Sequence, residues 1–161
     1  MGLFSSRETC TDMPKSLLLL LSDGLARTVA EIEMFLDISQ EDISTRIDAL
    51  SSMGVHIYKH EKQSAYQLAF PIELLDPQLL MLLLAKKNQF PRIDIQWSIQ
   101  STNDYCLNQQ KNNKPSSFVC LAEHQEGGRG RRGRSWVSPL GSNLYLSICS
   151  RFKREYRSME G

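Results

Sequence analysis

The sequence lacks any apolar run long enough to cross a bilayer. Its two leucine-rich stretches, Leu17–Leu21 and Leu79–Ala85, are five and seven residues long, whereas a membrane-spanning helix needs about 20. Both are therefore predicted to be helix segments that face a core. The hydrophobic fraction of 41% supports such a core and excludes a chain that is disordered by composition. A length of 161 residues fits one ordinary domain or two small ones.

Metal-binding and redox residues are also scarce, with four cysteines and three histidines. No two cysteines have the spacing of a zinc knuckle or a CxxC pair. His56 and His60 are four residues apart, but they lie in a stretch that alternates like a strand, where this spacing does not form a helix-face zinc site. We predict no metal site. Since no secretory leader is evident, we expect reduced thiols and a cytoplasmic location, with no membrane partner.

A strong net charge is absent too, because the whole chain carries only +1. This balance gives no general attraction to nucleic acid or membranes. The charge is nevertheless uneven along the chain. Residues 14–70 contain five basic and eight acidic residues, a net of −3, whereas residues 127–157 contain eight basic and one acidic, a net of +7.

The first half of the chain has the pattern of three helices followed by a hairpin. After a loose tail over residues 1–13, Pro14 opens a helix that ends near Ser22. Thr28 and Ser39 are each followed three residues later by an acid, the spacing of a helix-capping box. The stretches around residues 55–60 and 65–68 then alternate as paired strands. Residues 14–70 are thus predicted to form a winged helix-turn-helix domain.

Such a domain would place its third helix in the major groove of DNA. The predicted DNA-binding residues lie on the exposed face of that helix and on the wing: Ser44, Thr45, Arg46, Lys59 and Lys62. The helix face has one base against three acids, which is weak for phosphate neutralisation. The alternative is a winged-helix module that is used for protein interaction without DNA.

The second half is predicted to alternate between helix and strand. Residues 71–91 form a connecting segment whose helix starts at Asp76-Pro77 and ends near Lys87, and Arg92–Ile99 alternates as a half-buried strand. Ser101-Thr102-Asn103 follows this strand. These residues either cap the next helix or point hydroxyl and amide groups at a ligand.

The stretch Gly127–Trp136 contains four glycines and four arginines. Glycine lets the backbone lie against a ligand, and the guanidinium fork suits carboxylate and phosphate oxygens. The predicted strands on both sides, Phe118–Ala122 before the loop and Asn143–Cys149 after it, make a binding loop the favoured interpretation. A basic segment that touches RNA nonspecifically is the alternative.

Together these motifs resemble the bifunctional biotin–protein ligase and biotin operon repressor family. The resemblance rests on the following segments: Ser101-Thr102-Asn103, Gln125, Gly128–Arg134 with Trp136, Ser138-Pro139 and Asn143–Ser147. It implies an α+β fold, in which the winged helix-turn-helix precedes the first part of a mixed α/β, class II synthetase-like catalytic domain over residues 92–161. It also implies that biotin and ATP, with Mg²⁺, form biotinyl-5′-adenylate, which passes biotin to a lysine of the biotin carboxyl carrier protein of acetyl-CoA carboxylase.

The resemblance further assigns roles to residues. Biotin-binding residues would be Ser101, Thr102, Asn103, Gln125, Arg129, Gly130 and Arg131, of which Arg129 and Arg131 would also be catalytic. The adenylate side would be formed by Trp136, Arg132 and Arg134. Operator DNA and a ligand-linked homodimer are further expected partners.

Family members have a further region with a Lys-Trp-Pro-Asn-Asp motif and a C-terminal β-domain, which this sequence does not contain. The resemblance therefore leads us to expect a truncated, weakly active or inactive ligase. A winged-helix DNA-binding or interaction module without catalysis is the alternative function.

Overall fold

The computed structural model describes residues 13–85, 92–111 and 117–150. Its first half contains three helices and a small antiparallel sheet whose strands lie in the order β1-β3-β2. The elements, in chain order, are α1 (Met13–Leu21), β1 (Arg27–Thr28), α2 (Val29–Leu36), α3 (Gln40–Ser52), β2 (Ile57–His60) and β3 (Ala65–Leu68).

Both predicted capping boxes are confirmed at the starts of α2 and α3. Thr28 Oγ1 accepts a hydrogen bond from Glu31 N at 3.2 Å, and the Glu31 carboxylate accepts one from Thr28 N at 2.7 Å. Ser39 and Asp42 repeat this exchange at 3.2 Å in both directions. These hydrogen bonds lower the pKa of both carboxyl groups, because they favour the ionised form. Local sequence thus sets both helix starts.

The first core forms where α1, α2 and α3 meet. It includes Leu17, Leu18 and Leu21, each fully buried, so the core-facing prediction for the first leucine run is confirmed. Leu50 of α3 is equally buried in the same cluster. The helices therefore pack through apolar positions that recur every three or four residues.

The corresponding prediction for the second leucine run is wrong. This run lies in α4 (Pro77–Ala85), where Leu79, Leu82 and Leu83 are 49%, 63% and 55% exposed. The run is apolar on every side, so its pattern could not indicate which face would be covered. Among the α4 side chains whose burial the structure describes, Leu80 and Leu84, one turn apart, are partly buried and the others are exposed. The predicted end of this helix near Lys87 lies outside the described residues.

No helix in the three described ranges combines the length and the apolarity needed to cross a membrane.

The second half builds a three-stranded sheet with the order β4-β5-β6. Strand β4 (Arg92–Ile99) runs parallel to β5 (Ser117–Gln125), and β5 runs antiparallel to β6 (Tyr145–Ser150). Helix α5 (Thr102–Lys111) connects the two parallel strands. The carboxyl ends of β4 and β5 therefore lie at the same edge, which is where open α/β sheets bind ligands.

Two boundaries in this sheet differ from the sequence expectation. The predicted short apolar strand Phe118–Ala122 extends through Glu123, His124 and Gln125. It does so because His124 and Gln125 continue the pairing with β4, opposite Ser98 and Ile99. The strand expected from Asn143 begins at Tyr145.

The two halves contact each other directly. Leu140 N donates to Met53 O at 2.9 Å, and Trp97 of β4 packs against the first core. The Lys15 ammonium lies 5.9 Å from the centroid of the Trp97 ring, within the range of a cation–π contact. The buried Glu123 carboxylate accepts a hydrogen bond from Leu75 N at 2.5 Å and so holds the connecting segment against β5.

Burial raises the pKa of Glu123, although the Leu75 N–H opposes this shift. The folded chain therefore holds the Glu123 proton more tightly than the unfolded chain. The stability from this proton is fully present below the unfolded pKa, about 4.5, and is lost as the pH rises through the folded pKa.

We expect Glu123→Gln to make the free energy of unfolding decrease less as the pH rises. The variant should also be more stable than wild type at neutral pH, because the amide oxygen can still accept a hydrogen bond from Leu75 N. Urea unfolding between pH 4.5 and 8 measures the effect, with the exposed Glu73→Gln as the control. An identical pH dependence in wild type and Glu123→Gln would contradict the expectation.

Candidate functional site

The Gly/Arg loop closes on itself between β5 and β6. Trp136 N donates to Gly128 O at 2.9 Å, Gly130 N donates to Arg134 O at 2.7 Å, and Arg129 pairs with Ser135 in an isolated antiparallel bridge. Arg132 at the tip takes a left-handed conformation with φ of 61°. The loop therefore has the backbone of a tight hairpin, and its tip arginines, Arg131, Arg132 and Arg134, are exposed.

A hydrogen-bonded cluster lies at the carboxyl edge of the sheet, where α5, β5 and β6 meet. Gln125 Oε1 accepts from Thr102 N at 2.9 Å and from Thr102 Oγ1 at 3.2 Å. Thr102 Oγ1 also lies 2.9 Å from Ser147 Oγ. Thr102 is only 4% exposed, so its hydroxyl is held in one place by two neighbours. We call Thr102, Gln125 and Ser147 the hydroxyl–amide cluster.

Ser101 and Asn103, which flank Thr102 in the sequence, have different surroundings. Ser101 caps α5, since its Oγ accepts from Asp104 N at 3.4 Å and its carbonyl accepts from Tyr105 N at 3.0 Å. Asn103 is exposed on the first turn of the helix. The capping and ligand-facing interpretations of this segment are therefore compatible, because the cap uses Ser101 and leaves Thr102 to the cluster.

Arg129 connects the loop to the first turn of α5. Its Nη2 donates to Asp104 Oδ2 at 2.9 Å, and the Arg129 and Asp104 side chains are 75% and 35% exposed. Ion pairs this exposed contribute little to stability. An anionic ligand can therefore displace Asp104 from the guanidinium at small cost.

Trp136 is 62% exposed and lies at the base of the loop hairpin. Its ring approaches Gly130, where an added Cβ would lie 3.8 Å from Trp136 Cε3. The loop thus presents an aromatic face beside its arginines.

His124 belongs to a separate polar group at the ends of β4 and β5. Its Nδ1 lies 2.8 Å from Ser98 Oγ, and Gln100 Nε2 donates to the Glu126 carboxylate beside it. Burial lowers the pKa of His124, and the nearby Glu126 charge opposes the shift. Burial therefore favours the neutral form of the imidazole.

The predicted DNA-binding residues lie on α3, on β2 and in the turn after β2. Ser44, Thr45, Lys59 and Lys62 are exposed, as expected. The expectation that Arg46 is exposed is wrong, because it is 8% exposed and its Nη1 donates to Ser16 Oγ at 2.7 Å. Helix α1 covers this turn of α3, an interhelical contact that the amphipathic pattern of α3 alone does not indicate.

Ser147 was not among the predicted site residues. It lies in the Asn143–Ser147 motif, two residues after the buried Tyr145, so both side chains lie on one face of β6. Tyr145 OH donates to Pro139 O at 2.8 Å and ties this strand to the end of the loop. Strand alternation was therefore the signal that could have added Ser147.

Chemically, the site offers neutral donors and acceptors in the cluster and fixed positive charge in the loop. Such a combination suits a small ligand with a polar uncharged group at one end and a carboxylate or phosphate at the other. Within the described ranges, no group of three or more His, Cys, Asp and Glu side chains could hold a metal ion.

A family model and individual proteins of known sequence both relate this chain to protein ligases. Residues 96–160 match the Biotin/lipoate A/B protein ligase family. The bifunctional ligase/repressor BirA of Salmonella typhimurium is 35% identical over 144 residues, which cover 89% of this chain and 43% of that protein. BirA of Escherichia coli strain K12 is 34% identical over 142 residues, covering 88% and 42%.

A crystal structure of biotin protein ligase from Leishmania major in complex with biotinyl-5-AMP is 34% identical in sequence, with a TM-score of 0.33. The match covers 36% of this chain and 23% of that one. The chain thus spans less than half the length of the relatives it matches.

Proposed function

We propose that this chain, which is a member of the biotin protein ligase family, binds biotin at the hydroxyl–amide cluster and binds the activated carboxyl group with the Gly127–Trp136 loop. The observation that carries the proposal is the pairing of Thr102 with both Gln125 and Ser147. These three side chains form a preorganised polar group that can exchange hydrogen bonds with an uncharged ligand head.

The loop would serve the charged end of the ligand. Arg129 reaches Asp104, two residues beyond Thr102, so the loop and the cluster meet at the start of α5. Arg131 is exposed beside it in the loop. We assign these two arginines to the carboxylate and phosphate oxygens, with Gly130 allowing close backbone approach and Ser101 and Asn103 flanking the pocket. Trp136, Arg132 and Arg134 would lie toward the nucleotide.

The reaction that this arrangement supports is adenylate formation. A biotin carboxylate oxygen forms a bond to the α-phosphorus of ATP, and the bond from that phosphorus to the leaving pyrophosphate oxygen breaks. Both reactants are anionic, so their repulsion must be offset as they meet. Arg129 and Arg131 would supply that offset and stabilise the charge on the phosphoryl oxygens.

Mg²⁺ would enter with ATP as part of the substrate, since the described residues contain no group of three or more His, Cys, Asp and Glu side chains that could hold it without the phosphates. Biotin would then pass to a lysine of a biotin carboxyl carrier protein, the partner we propose for a cytoplasmic enzyme. Transfer places a carrier lysine nitrogen on the biotin carbonyl carbon and releases AMP. A homodimer linked to ligand binding belongs to the same proposal.

Isothermal titration of the chain with biotin tests the cluster, and Ser147→Ala is its sharpest variant. Losing the Ser147 hydroxyl frees Thr102 Oγ1 from one of its two partners, so we expect biotin affinity to fall by about three- to tenfold, as one hydrogen bond commonly contributes. The matched control is Ser150→Ala, which removes an exposed hydroxyl from the same strand and should leave affinity unchanged.

Equal affinity in wild type and Ser147→Ala would contradict the role of the cluster. Absence of any biotin binding by the folded wild-type chain would contradict the proposed function itself.

We further propose that residues 14–70 form a winged helix-turn-helix that binds operator DNA, and that residues 71–91 connect it to the ligase region at 92–161. The supporting observation is the order of three helices and a β1-β3-β2 sheet, with α2 and α3 separated by a short turn. Lys59 on β2 and Lys62 in the following turn are exposed, as are Ser44 and Thr45 on α3.

The wing lysines give the DNA proposal a direct test. We expect the double change Lys59→Gln and Lys62→Gln to weaken DNA binding and to reduce the slope of log affinity against log salt by about two, because two phosphate contacts are lost. Fluorescence anisotropy with operator DNA at several salt concentrations measures this. Lys15→Gln is the control, since Lys15 lies over Trp97 rather than on the wing. An unchanged slope would contradict the proposal.

A further inference from the structure

Arg129 differs from the other arginines of the loop because it has a carboxylate partner. Its Nη2 lies 2.9 Å from Asp104 Oδ2, whereas the ion pairs of the described residues include none of the loop's other arginines. Asp104 lies in the first turn of α5, two residues after Thr102 of the hydroxyl–amide cluster. A carboxylate of the chain thus already occupies the guanidinium that we assign to the ligand carboxylate.

The sequence before Asp104 has the spacing of a third capping box, because Ser101 precedes this acid by three residues. At the starts of α2 and α3 the same spacing gives both reciprocal hydrogen bonds. At α5 the described hydrogen bonds contain one of the two, which Asp104 N donates to Ser101 Oγ at 3.4 Å. The Asp104 carboxylate, which would accept the other, pairs with Arg129 instead.

The Asp104 carboxylate therefore has two alternative partners. One is the Arg129 guanidinium, and the other is the Ser101 backbone N–H, which the boxes of α2 and α3 show to be reachable at this spacing. A carboxylate in the first turn of a helix is favoured by the helix dipole in either arrangement. Leaving Arg129 costs Asp104 little, since the ion pair is exposed and the second partner completes the cap.

An exchange of partners needs only the rotation of side chains. The Arg129 backbone is held by its bridge to Ser135, and the next residue, Gly130, donates its N–H to Arg134 O at 2.7 Å. The Arg129 side chain is 75% exposed, so its rotation meets little packing. Loss of the contact with Asp104 would therefore free the guanidinium and leave the hairpin closed.

We propose that Asp104 is a built-in competitor for the ligand carboxylate. It occupies Arg129 in the free chain, and it moves to the Ser101 N–H and completes the cap of α5 when an anionic ligand group takes the guanidinium. This role rests on the proposed binding of the biotin carboxylate by Arg129. It goes beyond that binding because it couples the loop to the start of α5 and sets the affinity for a charged ligand.

Two effects of Asp104 oppose a ligand carboxylate, and both have the same sign. The existing ion pair must break, and the Asp104 charge repels a second carboxylate that approaches the same guanidinium. Neither effect acts on a ligand whose corresponding group is uncharged, because such a group leaves the ion pair intact. Asp104 therefore lowers the affinity for the charged ligand and not for a neutral analogue.

Isothermal titration with biotin and with biotinamide, in which a neutral amide replaces the carboxylate, tests the competition. Asp104→Asn keeps the shape of the side chain and removes its charge. We expect this variant to bind biotin about two- to fivefold more tightly than wild type, the range that an exposed ion pair contributes, and to bind biotinamide equally. Asp48→Asn, which removes an exposed acid from α3, is the control for the change in net charge.

Trypsin provides a second readout that needs no ligand. The protease must bind the arginine side chain after which it cleaves, and the ion pair with Asp104 withholds Arg129 from it. We expect Asp104→Asn to raise the rate of cleavage after Arg129 by a similar factor, about two- to fivefold. Cleavage after Arg132, which is exposed at the tip of the loop, should not change.

An unchanged rate of cleavage after Arg129 would overturn the proposal whether or not the chain binds biotin. Unchanged biotin affinity in Asp104→Asn, or an equal gain for biotin and biotinamide, would also overturn it. Absence of biotin binding by wild type would overturn the proposed function and the competition with it, and the cleavage rate would separately decide whether Asp104 holds the Arg129 side chain.

Discussion

Replacing Gly128 by alanine should weaken biotin binding by about ten- to hundredfold, since overpacking of this kind commonly costs about 1–3 kcal/mol. A Cβ at position 128 would lie 2.5 Å from the carbonyl oxygen of Trp136 and 2.6 Å from Ser138 Oγ. The nearer atom belongs to the backbone, so it cannot rotate away. The Trp136 N to Gly128 O hydrogen bond would have to lengthen, and the hairpin that carries the arginines would open.

Val137→Ala provides the control directly after the same loop. Val137 is 81% exposed, so truncating its side chain removes little packing. We expect its effect on biotin affinity to be clearly smaller than that of Gly128→Ala. Calorimetric titration of both variants measures the difference, and a Gly128→Ala variant with wild-type affinity would contradict the closed-loop geometry.

The second large effect concerns the core of the first half. Leu50→Ala is expected to lower the free energy of unfolding by about 2–5 kcal/mol, because it removes a fully buried side chain and leaves a cavity among tightly packed neighbours. Leu19→Ala on α1 is the control. Leu19 is 52% exposed, and we expect its loss to have a much smaller effect.

Chemical denaturation followed by circular dichroism measures both variants. Equal destabilisation by Leu50→Ala and Leu19→Ala would contradict the assignment of the core. The comparison also tests the helix arrangement on which the DNA proposal depends, since Leu50 lies on α3.

Local signals in the sequence were sufficient for much of the fold. The caps at Thr28 and Ser39 were predictable because each uses side chains only three residues away. The strand Arg92–Ile99 was predictable from alternation, and both its ends agree with the structure. These features depend on short-range chemistry that one sequence displays directly.

Contacts between distant residues were not predictable in the same way. Arg46 is buried against α1, where Ser16, 30 residues away in the sequence, accepts its hydrogen bond. The sequence of α3 alone does not indicate that contact. The exposure of Leu82 on α4 likewise depends on which elements cover the helix. A helix that is apolar all round has no polar face from which to infer its orientation.

The candidate site combines motifs that the sequence displays with contacts that only the fold creates. The Gly/Arg loop was found from composition, but the short contacts around Gly128 became evident only when Trp136 and Ser138 were placed beside it. Thr102 and Gln125 were predicted separately by resemblance, whereas their direct hydrogen bond is a property of the folded sheet. Ser147 completes that group from a third element, 45 residues from Thr102.

The most direct measurement of the central claim is limited trypsin digestion of the Gly127–Trp136 loop, read by mass spectrometry. Trypsin cleaves after arginine, and Arg129 and Arg131 are both exposed in the free chain. If the loop binds the activated carboxyl group of biotin, biotinyl-5′-adenylate will protect both sites, whereas AMP and RNA at the same concentration will not. Protection by RNA with none by biotinyl-5′-adenylate would contradict the account and identify the loop as a nonspecific nucleic-acid contact.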